Sequence, residues 1–366
     1  MSDQRNSIPR HGIRELIWMA LDILPRLYCP RQRLFCSYQK SDGERVGVSA
    51  RYSLICAIGL HRATQAGYGH PFDLHALYEQ AAHGHLTSAA DTGLMLWVGS
   101  LIGRKENPEI YRDLTGRLNS RDILKMTGME LGLSLSGLVS YGRQGGAGEG
   151  LSSAKKLVEF ILARCVHPRS HLFYHTGGRT LRRTFPNFAS QVYLMHGLAQ
   201  YAAEDSRAVQ TAINCAESLC SLQRPDGGWP WLYRASGSVV EDYEIYSVHQ
   251  DAMLPMAFLE VGKASSDPHR YREPVVRGLR WLNRANELQF DMIDRAAHIV
   301  HRSIRRRAPF QKVALGLNTL CSFFVNHPLF SSSGFPVEIN RTDRPYHLGW
   351  ILYAWCGRED LFEPEI

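Results

Sequence analysis

Six stretches of the chain share one pattern: a polar or charged opening, then small and apolar residues at helical spacing. They begin near Ala50 (ARYSLICAIGL), Ala90 (DTGLMLWVGSL), Lys125 (MTGMELGLSLSGL), Pro186 (NFASQVYLMHGL), Val248 (HQDAMLPMAFLEV) and Pro345 (YHLGWILYAW). A helix covered on all sides has no use for the charged stripe of a surface helix, and close packing favours Gly, Ala and Ser in its place. More ordinary amphipathic helices lie between successive copies. The alternation predicts an all-α fold, an (α/α)6 toroid of six helical hairpins, with the six stretches inside and their partners outside.

Inner helices of such a ring run in the same sense, so their openings collect at one mouth of a central cavity. This brings together Arg51, Tyr52, Asp91, Thr92, Glu130, Asn187, Gln191, His249, Gln250, Asp251, Arg344, Tyr346 and His347. Asp, Asn and Thr also cap helix starts, so Thr92, Thr127 and Asn187 carry either reading. Arg and His are poor caps and costly to bury unpartnered. Arg51, Arg344, His249 and His347 are therefore the stronger candidates for a site.

The ring can hold all 366 residues as one domain, because toroids grow by adding hairpins around one core. The stretch 286–338 interrupts the hairpin rhythm and predicts an inserted helix pair or lid; Arg143 to Gly150 (RQGGAGEG) reads as a loop. Hydrophobic residues make up 44% of the chain, yet no apolar run reaches the roughly 18 to 20 residues that span a bilayer. The opening MSDQRNSIPRHG lacks the apolar core of a signal peptide, so a cytoplasmic location is expected. The eight cysteines include no CxxC pair and read as reduced core residues; only Cys29 and Cys36, in an Arg-flanked loop, suggest redox or metal chemistry. No cofactor is predicted, with a divalent metal left open.

A net charge of +7 favours a small anionic partner. Two arginine clusters sharpen that expectation: Arg302 to Arg307 (RSIRRR), and Arg179, Arg182 and Arg183 in a loop entering the fourth inner stretch. Paired guanidinium hydrogen bonds there could hold a diphosphate, a uronate or a lipid headgroup, and peripheral membrane contact stays open. No nucleic-acid-binding pattern accompanies the charge, so nucleic acid is not an expected partner.

Between Ala216 and Trp231 the chain reads AESLCSLQRPDGGWPW. Asp226-Gly227-Gly228 signals a turn after Pro225, Gln223 can bond exposed carbonyls, and Trp229 can cover the junction. The motif resembles the glutamine-tryptophan repeat of the terpenoid cyclase and protein prenyltransferase superfamily, through Gln223, Gly227, Gly228 and Trp229. The resemblance implies a ring of helical hairpins and acid-initiated cyclisation or isomerisation of an isoprenoid. The chain departs from that family in lacking both an Asp-x-Asp-Asp acid motif and the Asp-x-Cys pair of the zinc prenyltransferases.

The richest chemistry lies in EDYEIYSVHQDAMLPM, from Glu241 to Met256. A carboxylic acid enclosed by aromatic rings stays protonated near neutrality, which makes Asp251 the expected acid and His249 its partner. In the isoprenoid reading, Trp97, Tyr193, Trp231, Tyr246 and Trp350 face a developing cation while the Arg179 to Arg183 loop holds a diphosphate. In a carbohydrate reading, two acids from Asp91, Glu130 and Asp251 act across a glycosidic bond. Alternatively a Tyr or His removes the proton beside a uronate while Arg344 or Asn187 neutralises its carboxylate. A third reading is a non-catalytic ring that docks a partner or lipid through Arg302 to Arg307.

Overall fold

A computed structural model describes residues 12–84, 87–104, 108–144, 148–307, 310–325, 328 and 336–362. The N-terminal segment read for a signal peptide, and the centre of the Arg143 to Gly150 loop, lie outside the described residues. Helices are numbered in chain order. The inner ring comprises α2 (Ala50–Gln65), α4 (Ala89–Leu101), α6 (Gly128–Arg143), α8 (Phe188–Gln200), α10 (Leu254–Ala264) and α13 (Pro345–Trp355). The outer ring comprises α1 (Ile13–Leu27), α3 (Leu74–His83), α5 (Pro108–Asn119), α7 (Gly148–Arg164), α9 (Ser206–Cys220) and α11 (Arg272–Leu282). Each inner helix packs on the next, α13 packs on both α10 and α2, and α1 lies against α13, so the ring closes into an (α/α)6 toroid.

The inner sequences allow this because their small residues let backbones approach. A side chain at Gly59 would meet the Gly349 carbonyl at 2.1 Å, and one at Gly137 the Gly93 carbonyl at 2.2 Å. The α2–α13 and α4–α6 seams therefore depend on glycine at both sides. The helix starts follow local signals as well. Ser49 caps α2, Ser88 and Asp91 form a capping box on α4, Thr127 and Glu130 form another on α6, and Asn187 caps α8. The fifth inner helix opens differently, through a π-helical turn at His249–Met253 that precedes α10. No helix among the described residues is long and apolar enough to cross a membrane.

Between α11 and α13 the chain leaves the ring. A strand at Ser303–Arg306 joins a three-stranded antiparallel sheet, between Ile245–Tyr246 and Val337–Asn340. Helix α12 (Phe310–Cys321) follows that strand. One buried carboxylate anchors the excursion: Glu241 Oε1 accepts from Arg306 at 3.0 Å, and its Oε2 accepts from Asn318 of α12 at 3.0 Å.

The turn after α9 is structural. Gln223 Nε2 donates to the Gly227 carbonyl at 2.8 Å and to the Pro274 carbonyl of α11 at 2.9 Å. Asp226 Oδ1 accepts from the Gly228 amide at 2.9 Å, and Gly227 takes a φ of 93° that only glycine adopts without strain. Trp229 is fully buried against Phe188 and Phe258, which couples the turn to two inner helices. Trp229→Ala should cost about 3 to 5 kcal/mol of stability in denaturant unfolding, as expected for a truncated buried aromatic. A loss below about 1 kcal/mol would mean that the turn does not depend on this ring.

Candidate functional site

The inner-helix openings do collect at one mouth, around a cavity of about 190 Å³. Its polar and aromatic walls are Arg51, Tyr52, Tyr193, Trp231, Tyr246, His249, Arg302 and Tyr346; Ile55, Met129, Leu133, Ala189 and Met253 complete it. The size is below the roughly 300 to 1,000 Å³ of pockets for drug-sized ligands and suits a single small ring. An adjoining shallower cleft of about 350 Å³ shares Arg51 and Tyr52 and adds Ser37, Ser49, Thr87 and Asp91.

Along the α2 side, charge is tightly paired. Arg51 donates to Asp91 Oδ1 at 2.6 Å and Oδ2 at 3.0 Å, and to Ser88 Oγ at 2.9 Å. Burial alone would push the Asp91 carboxyl up, but the bonds and charge of Arg51, with help from Ser88, hold it below the usual value. Asp91 is thus a fixed anion and a poor proton donor. Tyr52 Oη accepts from Arg344 Nη1 at 2.8 Å, which leaves its own proton free, and its ring packs on Tyr346 at 4.7 Å. Burial pushes the Tyr346 phenol up to about 12, against the pull of Arg302.

His249 forms the opposite kind of wall. Its ring stacks on Phe188 at 4.1 Å and on Trp231 at 5.9 Å, and Tyr246 packs at 5.0 Å. Burial, followed by the influence of nearby His347 and Arg302, drives the imidazole well below its ordinary value, so it is neutral near pH 7. Its Nδ1 is buried without a hydrogen-bond partner. Arg302 lies over the Tyr246 ring at 5.1 Å, and no carboxylate among the described residues lies within ion-pair distance of it. Its own Nε is likewise buried and unpartnered. The sequence offered Arg302 only as part of a cluster. Its route to the mouth is the pairing of Ser303 with Tyr246, a contact between segments far apart in the chain.

Several residues expected at the mouth sit just beneath or beside it. Asp251 is fully buried and its Oδ1 meets His347 Nε2 at 2.7 Å, while Oδ2 lacks a partner. Burial raises the Asp251 carboxyl, with His347 pulling the other way. Neither residue lines the cavity. Trp97 and Trp350 belong to a packed plug lower in the ring, where Trp97 stacks on His196 at 5.6 Å and Trp350 Nε1 donates to Tyr193 Oη at 2.9 Å. Gln191 clamps the Phe173 backbone through bonds of 2.7 and 2.8 Å, and Gln250 donates to the Tyr246 carbonyl at 3.1 Å. Asn187 Oδ1 and Glu130 Oε2 are engaged in capping. Arg179 is exposed, and Arg183 lies over Tyr174 at 3.8 Å and donates to the Arg164 carbonyl; neither reaches the cavity. The Arg302 to Arg307 cluster is split, with Arg306 buried on Glu241 and Arg305 paired with Glu338.

No protein-family model matches the chain, and no curated protein matches it in sequence. Solved structures do match its fold over nearly the whole length. A possible member of the GH105 family from Salmonella enterica subsp. enterica serovar Paratyphi A aligns with a TM-score of 0.63 at 11% identity, covering 98% of this chain and 96% of that one. A sugar epimerase from a ruminal bacterium aligns with a TM-score of 0.62 at 10% identity, covering 94% and 98%. A polysaccharide lyase aligns with a TM-score of 0.59 at 10% identity, covering 96% and 99%. These matches correct the resemblance drawn from the Gln223 to Trp229 turn: the fold is similar to that of a possible GH105 member, a sugar epimerase and a polysaccharide lyase, rather than to the terpenoid cyclases. The isoprenoid reading falls with it. The ring interior agrees, since the plug of Trp97, His196, Trp350 and Tyr353 fills the space a hydrocarbon channel requires.

Asp343, beside His347, gives the floor of the site a pH signature. Burial pushes its carboxyl from an ordinary 3.8 up to about 7, opposed by His347. A raised folded-state value means that its contribution is full below the unfolded value and is lost as pH rises through about 7. The denaturation midpoint should therefore fall between about pH 5 and about pH 8, and Asp343→Asn should flatten that fall. An unchanged slope in the variant would mean that Asp343 is ionised in the fold.

Proposed function

We propose that the protein is a carbohydrate-active enzyme that removes a proton from an anionic sugar, as a uronate lyase or epimerase does. The observation that carries this reading is the composition of the cavity wall: two arginines, four tyrosines, a neutral histidine and a tryptophan, with no carboxylate. Hydrolysis by an acid pair needs two carboxyl groups flanking the bond. Asp91 is committed to Arg51, Glu130 to its capping box, and Asp251 to His347 below the cavity.

Arg302 supplies positive charge in the cavity wall without a carboxylate in direct ion-pair contact, Glu244 acting on it from behind Tyr246. A sugar carboxylate there is bound and partly neutralised, which acidifies the neighbouring C–H. Neutral His249 is the base that accepts this proton. Tyr52, whose oxygen accepts from Arg344, keeps a proton to donate either to a leaving oxygen, completing an elimination, or back to carbon, completing an epimerisation. Trp231 offers a flat apolar face to the sugar ring. The cleft beyond Arg51 and Tyr52 has room for the next unit, so an oligosaccharide end is the expected substrate. Support also comes from the fold matches, among which are a sugar epimerase and a polysaccharide lyase.

The test is incubation with uronate-containing oligosaccharides in deuterated water, following unsaturated product by absorbance and deuterium uptake by mass. Wild type should show one or both, and His249→Ala should lose about 100-fold or more in rate. Arg302→Gln should raise KM about tenfold for the acid sugar and leave a neutral analogue unaffected. Turnover restricted to neutral glycosides, or equal activity in Arg302→Gln, would sink the reading.

A further inference from the structure

Helix α12 is built inside out. Its buried side carries Ala314, Asn318 and Ser322, a small and polar set, with Asn318 fixed on Glu241. Its outer side carries Val313, Leu317 and Leu320, continued by Phe324, at the i, i+4, i+7, i+11 spacing of one helical face. Leu320 is 64% exposed and Phe324 89%. More than half of the large apolar side chains exposed among the described residues fall between Phe310 and Phe324. Scattered exposed apolar residues are normal, but a continuous face of them on a helix whose inner side is polar marks a surface meant to be covered.

The charge around this face says what covers it. Between Arg295 and Val337, Arg295 pairs with Glu15 and Asp291, Arg305 with Glu338 and Arg306 with Glu241, and Arg302 lines the cavity, which leaves Arg307 and Lys312 beside the face. Lys312 is exposed on α12 itself, and Arg307 is exposed just before it. A second basic segment adjoins the far end, where the Phe185 ring meets Phe323 at 5.7 Å. That segment carries exposed Arg179 and Arg182, with Leu181, 70% exposed, between them. An apolar helical face rimmed by cations is the composition that lies in the headgroup region of an anionic bilayer. A second copy of the chain is a worse fit, because a two-fold interface would set the same cations against one another.

We propose that the outer face of α12, with Phe324 and the Leu181 loop beside it, seats the protein on an anionic lipid surface. The inference is independent of the sugar chemistry. It concerns the same excursion that carries Arg302 into the cavity, so the catalytic mouth and the lipid contact belong to one segment of chain.

The experiment is co-sedimentation of the full chain with phosphatidylcholine vesicles, with and without phosphatidylglycerol, at low and high salt. Binding should require phosphatidylglycerol and weaken with salt. A Leu320→Ser, Phe324→Ser double variant, with helical content confirmed by circular dichroism, should lose about tenfold or more in vesicle affinity. Lys312→Glu should weaken binding without changing the fold. Absence of vesicle binding, or binding that the double variant leaves unchanged, overturns the proposal. So does a concentration-dependent dimer in sedimentation velocity that the double variant abolishes, since a second copy would then be what covers the face.

Discussion

The close approach of neighbouring inner helices sets the geometry on which everything else rests. At Gly59 against Gly349, and at Gly93 against Gly137, backbone meets backbone with no room for a methyl group. These seams draw the ring tight enough for Trp97, His196, Trp350 and Tyr353 to fill its lower half. A small cavity remains at the mouth, where the inner helices open on polar residues. A wider ring would have produced a channel; this one produces a small cup above an aromatic plug.

Electrostatics in the cup divides into spent and unspent charge. Arg51 and Asp91 satisfy each other, and Asp251 is held by His347, so these groups fix shape more than they offer reactivity. Arg302 and His249 are different. One is a cation whose nearby carboxylate, Glu244, stands off behind Tyr246, the other an imidazole kept neutral by burial, and both face the same small volume. A neutral imidazole beside a guanidinium is the arrangement on which the proposed proton removal from an anionic sugar rests.

Glu241 links this site to the outside of the molecule. It lies eight residues before His249, yet its two oxygens hold Arg306 and Asn318 of the excursion. The strand that begins at Ser303 is therefore locked in register with Tyr246, and Arg302 immediately before it is delivered to the cavity. Burying Arg306 and Glu241 is costly unless both are fully bonded, which makes the pair a device for fixing one arrangement of the excursion. The apolar outer face of α12 follows from the same constraint, because its polar side is required inward to meet Glu241.

The toroid was legible in the sequence because its physical cause is local: a helix surrounded by others must exchange its charged stripe for small and apolar residues, and six copies of that exchange stand in the chain. The caps at Thr127 and Asn187 were legible for the same reason, as was the fastening role of Gln223 and Trp229, whereas on α4 the cap is Ser88 and not the expected Thr92. What local pattern could not decide was direction and depth. Asp251, His347, Gln191 and Trp350 carry the residue types of a site, and only packing shows that they lie below or beside the cavity. The turn at Gln223 to Trp229 could not identify the chemistry, since fastening a helical hairpin demands the same Gln, Gly and Trp whatever the ring encloses. Arg302 was the furthest from sight. Its place depends on a strand pairing with Tyr246 and on a buried ion pair at Glu241, long-range contacts that no periodicity along the chain records.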